Sequence, residues 1–334
     1  MRLTRRSLAA IPFALSLPAV SRAQDAGLLT IYNAQHASLA REWTDAFTRE
    51  TGIRTTIRNG NDTELGNQLV QEGARSPADV FLTENSPAMT LVDRAGLFAP
   101  LAAETLAEVD EGFRPAHGRW TGIAARSTVF AYNPSLLPEA ELPASLADLA
   151  QPAWRGRWGA SPAGADFQAI VSALLALRGE EETFTWLQAM KANATAYRGN
   201  GNVLRAVNAG QIPGGVIYHY YWFGDQARTG ENSNNTRLHY FRNRDPGAFL
   251  SISGGGVLAS SARIPQAQAF LRWLAGPRGQ DILRTGTSYE YAVGRGQASH
   301  PRLVPIAELQ VPRVEPADLN SARVTELMTR AGLI

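Results

Sequence analysis

Strand-like and helix-like segments alternate along this chain from residue 28, and that alternation limits the fold more than any other feature. Residues 28–32 form an apolar, β-prone run. Residues 38–50 follow, with Leu39, Trp43 and Phe47 four apart on one face of a helix. Gly52 stands where a helix ends. A strand over 53–57, a helix over 63–72, a short strand over 79–82 and a helix opened by Ser86-Pro87 and ending near Gly96 continue the pattern. Strands that alternate with helices predict a largely parallel sheet.

The β-rich stretch 127–132 ends at Asn133-Pro134 and reads as a strand crossing to a second lobe. Helices near 167–177, 181–192 and 203–208, with strands at 215–218 and 237–241, build that lobe. Residues 251–257 read as the return crossing, where Gly254-Gly255-Gly256 allows close backbone approach. Helices near 265–274 and 279–283 complete the first lobe, and 317–332 forms one more helix. The predicted class is α/β, two lobes joined by two crossing strands with a ligand cleft between them. The first lobe takes 24–126 plus about 252–303, and the second takes 127–251 plus about 304–334.

Residues 1–23 stand outside this pattern. Arg5-Arg6, an apolar run over 8–20 broken by Pro12 and Pro18, and Ser21-Arg22-Ala23 come in the order of an export signal of the twin-arginine kind. The run is too short and too proline-broken to span a membrane. Of the 32 basic residues, this leader holds four arginines and no acid, so its removal leaves 28 basic against 30 acidic residues and a net charge of about −2. That balance makes no case for nucleic acid or an anionic membrane as partner. With no cysteine in the chain, a bound metal must be held by oxygen and imidazole.

The tetrad Tyr218-His219-Tyr220-Tyr221 concentrates such ligands. Phenolates are hard oxygen donors and suit hard cations. Adjacent tyrosines reach one ion only off a regular strand, in a loop or the first turn of a helix, because strand neighbours point to opposite faces. Taken alone, the pair reads equally as aromatic packing.

Further landmarks occur in one order: Tyr32-Asn33-Ala34-Gln35-His36, residues 78–84, Trp154-Arg155-Gly156-Arg157, Tyr220-Tyr221-Trp222, Asp245-Pro246-Gly247-Ala248 and Ser253-Gly254. With them the chain resembles the bacterial periplasmic ferric-iron-binding proteins, the capture components of iron ABC transporters, which have the type 2 periplasmic binding fold. The resemblance implies Fe³⁺ as cargo, held by His36, Glu84, Tyr220 and Tyr221. It implies a synergistic anion, carbonate or phosphate, at the start of a second-lobe helix, Gly164-Ala165-Asp166, and at Asn200. It also implies an inner-membrane ABC permease as partner, a periplasmic location and a monomer that catalyses nothing. Two positions depart from the family pattern. Asp166 brings a negative charge to the anion site, unless it caps the helix and leaves the anion to backbone N–H groups. Tyr218 replaces a family asparagine.

The residues themselves make chemical sense of that set. His36 and Glu84 each lie just past a predicted strand end, where open α/β sheets bind ligands. Two phenolates and one carboxylate carry three negative charges, matching Fe³⁺, and a neutral imidazole leaves about two octahedral positions for anion or water. Individually each residue has a plainer role: His36 as a helix cap, Glu84 as a turn residue, the tyrosines as packing. Tyr218 stands as a third phenolate or as core, and His219 as a supporting residue, a fifth ligand or an exposed side chain. Arg126 either neutralises an anion or forms a surface salt bridge. Tyr289 and Tyr291, which flank Glu290, read as packing or rim. Three rivals remain at this point: a same-fold binder of a small anion or organic solute without metal, a secreted hydrolase using His36 and Glu84, and a carrier of another oxyphilic metal. The hydrolase lacks a nucleophile, having no cysteine and no Gly-x-Ser-x-Gly elbow.

Overall fold

The computed structural model describes residues 28–334; the leader over 1–23 lies outside them. The chain opens as the alternation predicts: β1 (Leu29–Asn33), α1 (Ala37–Thr51), β2 (Thr55–Asn59), α2 (Asp62–Glu72), β3 (Val80–Leu82) and α3 (Ser86–Arg94). β1 pairs in parallel with β2 on one side and β3 on the other. Leu39, Trp43 and Phe47 of α1 are buried as their spacing requires. Each large apolar side chain so buried stabilises by roughly 1.5–3 kcal/mol. Gly52 closes α1 at φ 74, the left-handed conformation that glycine adopts without strain.

After α4 (Ala103–Ala107) comes β4 (Trp120–Tyr132), a strand of 13 residues buried throughout. The expected crossing began at Ser127; the strand begins seven residues earlier. Burial on both faces leaves no polar alternation by which Trp120–Arg126 could announce itself. Trp120 to Ser127 pair antiparallel with β9 (Leu250–Val257), and Thr128 to Tyr132 pair antiparallel with β7 (Gly214–Tyr218). β4 and β9 thus run together through the middle of one mixed sheet.

The second lobe adds β5 (Trp158–Ala160), α5 (Ala165–Asn193), β6 (Ala194–Ala196), α6 (Asn200–Asn208), α7 (His219–Arg228) and β8 (Arg237–His239). Gly179 breaks α5 at φ 79, where two separate helices were expected. β5, β6 and α4, of three to five residues, lack the length to show a period. The sheet order is β2-β1-β3-β9-β4-β7-β5-β6, with β8 on β4. α8 (Ile264–Ala275) and α9 (Pro277–Thr285) return to pack near α1. The tail helix α10 (Ser321–Arg330) lies on α5 and is shorter than predicted, because a 3₁₀ turn takes up Pro316–Asp318 and the Asn320 side chain caps the helix by accepting from Arg323 N–H. Among the described residues no helix is long and apolar enough to cross a membrane.

Candidate metal centre

The start of α7 answers the tyrosine problem. Tyr218 is the last residue of β7 and the N-cap of α7, so His219, Tyr220 and Tyr221 form the first helical turn. There the rings of Tyr220 and Tyr221 stack with centroids 4.4 Å apart, side by side rather than on opposite faces. Both hydroxyls donate to one oxygen, Asp166 Oδ2, at 3.2 Å each.

His36 occupies the N-cap position of α1, without a side-chain cap bond, three residues beyond β1, and Glu84 lies two residues beyond β3. His36 Nε2 sits 2.7 Å from Glu84 Oε1, and the His36 ring meets the Tyr220 ring edge-on at 4.8 Å. The structure therefore brings His36, Glu84, Tyr220 and Tyr221 to one place. Burial works against a charge on His36, but hydrogen bonds to Glu290 and Glu84 outweigh it and push the ring pKa up to about 10. Burial and then the Asp166 charge hold the phenol of Tyr220 protonated far above its ordinary range, and Tyr221 likewise.

Of the expected anion residues, Gly164 is the N-cap of α5 and makes no side-chain cap; Ala165 and Asp166 are its first two residues. Asp166 does not cap the helix. Its buried carboxylate also accepts from Asn85 Nδ2 at 3.0 Å and Asn200 Nδ2 at 2.7 Å, so it is the node on which the phenols and both asparagines converge. Burial, then the nearby Glu84 charge, raises its pKa. Asn200 opens α6. The N-termini of α1, α3, α5, α6 and α7 thus all end on this cluster, and their positive dipole ends favour negative charge there.

Arg126 forms a buried ion pair, not a surface one. Its Nη2 lies 2.6 Å from Glu290 Oε2, its Nη1 donates to the Glu84 carbonyl at 2.6 Å, and both charged side chains are fully enclosed. Its guanidinium also lies over the Tyr220 ring at 5.4 Å. Tyr218 is fully buried, its hydroxyl 3.4 Å from Asn85 Oδ1. His219 is enclosed as well: Nδ1 accepts from Ser127 N–H at 3.1 Å, the ring stacks on Tyr291, and burial pushes its pKa down to about 4.

Three contributors escaped the sequence reading. Glu290 holds His36 Nδ1 at 3.0 Å and Arg126, and burial fails to neutralise it because Arg126 and His36 pull its pKa down to about 2. Its neighbours Tyr289 and Tyr291 are packing residues, as expected, and Tyr289 takes φ 54 to turn Glu290 inward. Asn85 links the lobes by donating to both Asp62 and Asp166. Asp62 accepts the backbone N–H groups of Glu84 and Asn85 and so fixes the Glu84 loop. Only Asp62, an acid in a first helical turn, carried any local signal, and that signal is shared by many structural residues.

Among the described residues no three His, Cys, Asp or Glu side chains are arranged to hold an ion. Any such site here is completed by tyrosine. Two α/β lobes with imidazole, carboxylate and phenol groups converging between them define a two-lobe solute-binding protein. Comparison with known proteins agrees. Residues 75–315 match the family model of the bacterial extracellular solute-binding proteins. A Fe(3+)-binding periplasmic protein of Serratia marcescens is 63% identical over 328 residues, 98% of this chain and 97% of that one. The major ferric iron-binding protein of Neisseria meningitidis is 35% identical, covering 91% and 93%. The crystal structure of iron-bound HitA from Pseudomonas aeruginosa superposes with a TM-score of 0.86 at 41% identity, covering 92% of this chain and 99% of that one. The chain belongs to the family of bacterial periplasmic ferric-iron-binding proteins, whose members are solute-binding proteins and not enzymes.

Proposed function

We propose that this chain captures Fe³⁺ in the cleft between its lobes, in the periplasm, and carries it as a monomer to an inner-membrane ABC permease. His36 Nε2, a Glu84 oxygen and the phenolates of Tyr220 and Tyr221 are the ligands. The single observation that carries this reading is the stacked tyrosine pair on one helical turn, facing the His36–Glu84 contact. Glu84 and two phenolates match the charge of Fe³⁺, and the helix N-termini help to hold the deprotonated forms. The cargo and compartment are supported by the 63% identical relative, a Fe(3+)-binding periplasmic protein, and by the 35% identical one, a major ferric iron-binding protein.

The role that the resemblance gives to free carbonate or phosphate falls here to Asp166. Its carboxylate already stands against both phenol oxygens, at the helix start where a free anion was expected. A protein carboxylate in that place supplies the extra oxygen donor without a second solute.

The test is to load the mature protein with ferric citrate, remove the excess and record the visible spectrum. A broad phenolate-to-iron charge-transfer band, lost in Tyr220→Phe and Tyr221→Phe, is expected. Colourless protein with no retained iron would overturn the ferric reading.

A further inference from the structure

β9 has two working faces. Ser251 and Ser253 point to the metal centre, where they bond Asn85 Oδ1 and Arg126 Nη2. Leu250 and Ile252, between and beside them, face the other way. There they line a cavity of about 1060 Å³ that is distinct from the metal centre. Its apolar wall includes Phe113 and Phe249, and the tail around Val314 lines it. The volume suits a small organic molecule.

The charges at this cavity are unequal. Arg114, Arg244 and Arg313 reach it, against Glu111 and Glu315. Arg313 is taken by Glu315 at 3.1 Å. Arg114 meets Glu111 only at 3.9 Å, and its Nε is buried without a hydrogen-bond partner. The exposed Arg244 side chain makes no hydrogen bond or ion pair among the described residues. Its backbone is held left-handed, φ 56, next to Asn243 at φ 59, and both bond to Gln310, itself at φ 53. Three non-glycine residues in that region at one rim are a concentration of strain, and strain of this kind gathers at ligand sites.

We propose that this cavity is a second binding site, for a small organic monoanion with an apolar body, whose charge is met by Arg114 and Arg244. The apolar wall takes the body, and the surplus of one positive charge sets the preference for a single negative one. The proposal stands apart from the ferric reading, since none of these residues touches the metal centre.

The probe is 8-anilinonaphthalene-1-sulfonate, with N-phenyl-1-naphthylamine as its uncharged counterpart, titrated by fluorescence into the mature protein. The variants are Arg244→Asn, which tolerates the left-handed backbone, and Arg114→Gln, with Tyr220→Phe as a metal-site control. Unfolding midpoints are measured for each, so that exposure of core is recognised. One saturable site per chain is expected, weakened about tenfold by either arginine replacement and about tenfold weaker for the neutral probe, the loss of one charge-assisted hydrogen bond. Tyr220→Phe should leave it unchanged. The proposal is overturned by absence of saturable binding, by equal affinity for the neutral probe, or by indifference to both arginine changes.

Discussion

His36 and Glu290 are 254 residues apart in sequence and 3.0 Å apart in space, joined through Nδ1 and Oε1. A histidine whose second nitrogen is held by a carboxylate presents the first to a metal in a fixed orientation. Glu290→Gln should therefore lower iron affinity by about 10- to 100-fold while the phenolate charge-transfer band stays in place. Competition titration against a chelator, with the visible spectrum of the loaded variant, measures both. Unchanged affinity would remove Glu290 from the site.

Asp166→Asn keeps the shape of the node and removes its charge. The wild-type protein should load iron equally with or without added bicarbonate or phosphate. The variant should need one of them, and should gain about tenfold or more in affinity when it is supplied. Loading both proteins in anion-depleted buffer decides the point; a wild-type requirement for added anion would assign the role to a free solute.

Iron must displace the proton of His36, which is held up to about pH 10, and those of Tyr220 and Tyr221. Each proton released makes affinity tenfold weaker per unit fall in pH. A slope of about three in log affinity against pH, between about pH 6 and 7.5, is the expected result. Chelator competition across that range reads it, with the chelator's own titration subtracted.

The metal-free protein should lose stability as pH rises. His36 has a folded pKa of about 10 against an ordinary 6.5, so the stability it contributes is complete below about 6.5 and is lost through about 10. Asp62 acts in the same direction: burial and then the Glu84 charge raise it from 3.8 to about 8, so its contribution fades on the way up to about 8. Glu290 works oppositely, holding its contribution above its ordinary 4.5 and losing it only as pH falls through about 2. Thermal midpoints should thus fall steadily from about pH 6 to 10. His36→Gln should flatten the upper part of that fall, and Asp62→Asn the lower part.

Gly254 of β9 lies beside the end of β3, where its carbonyl accepts from Thr83 N–H at 2.9 Å, and a methyl group there would come within 2.3 Å of Met89 Cγ. Gly254→Ala should destabilise by about 1–3 kcal/mol through overpacking. Chemical unfolding with an unchanged denaturant slope would confirm a local cause.

The first lobe was legible because Leu39, Trp43 and Phe47 keep helical spacing and β1 to β3 are separated by whole helices. Gly52 and the glycine run also follow from residue type alone, and the break at Gly179 falls between the helices expected near 167–177 and 181–192. The start of β4 was not legible, since a strand buried on both faces shows no alternation. At the centre, the resemblance pointed to four residues that the fold gathers, but the buried acids around them left little trace. Glu290 is placed by a backbone pairing of Tyr291 with Ala125 and a left-handed Tyr289, neither of which has a sequence period. Asp166 looked like a helix start because it is one; its part in holding the phenols depends on α7 arriving from 54 residues away.

β9 sends Ser251 and Ser253 one way and Leu250 and Ile252 the other, so its two faces are written in alternate letters of a single word. Point changes edit one face at a time. Adding or deleting a single residue within 250–253 would exchange them at a stroke, driving isoleucine against Arg126 and serine into an oily wall. This strand should therefore accept substitutions far more readily than any change in its length.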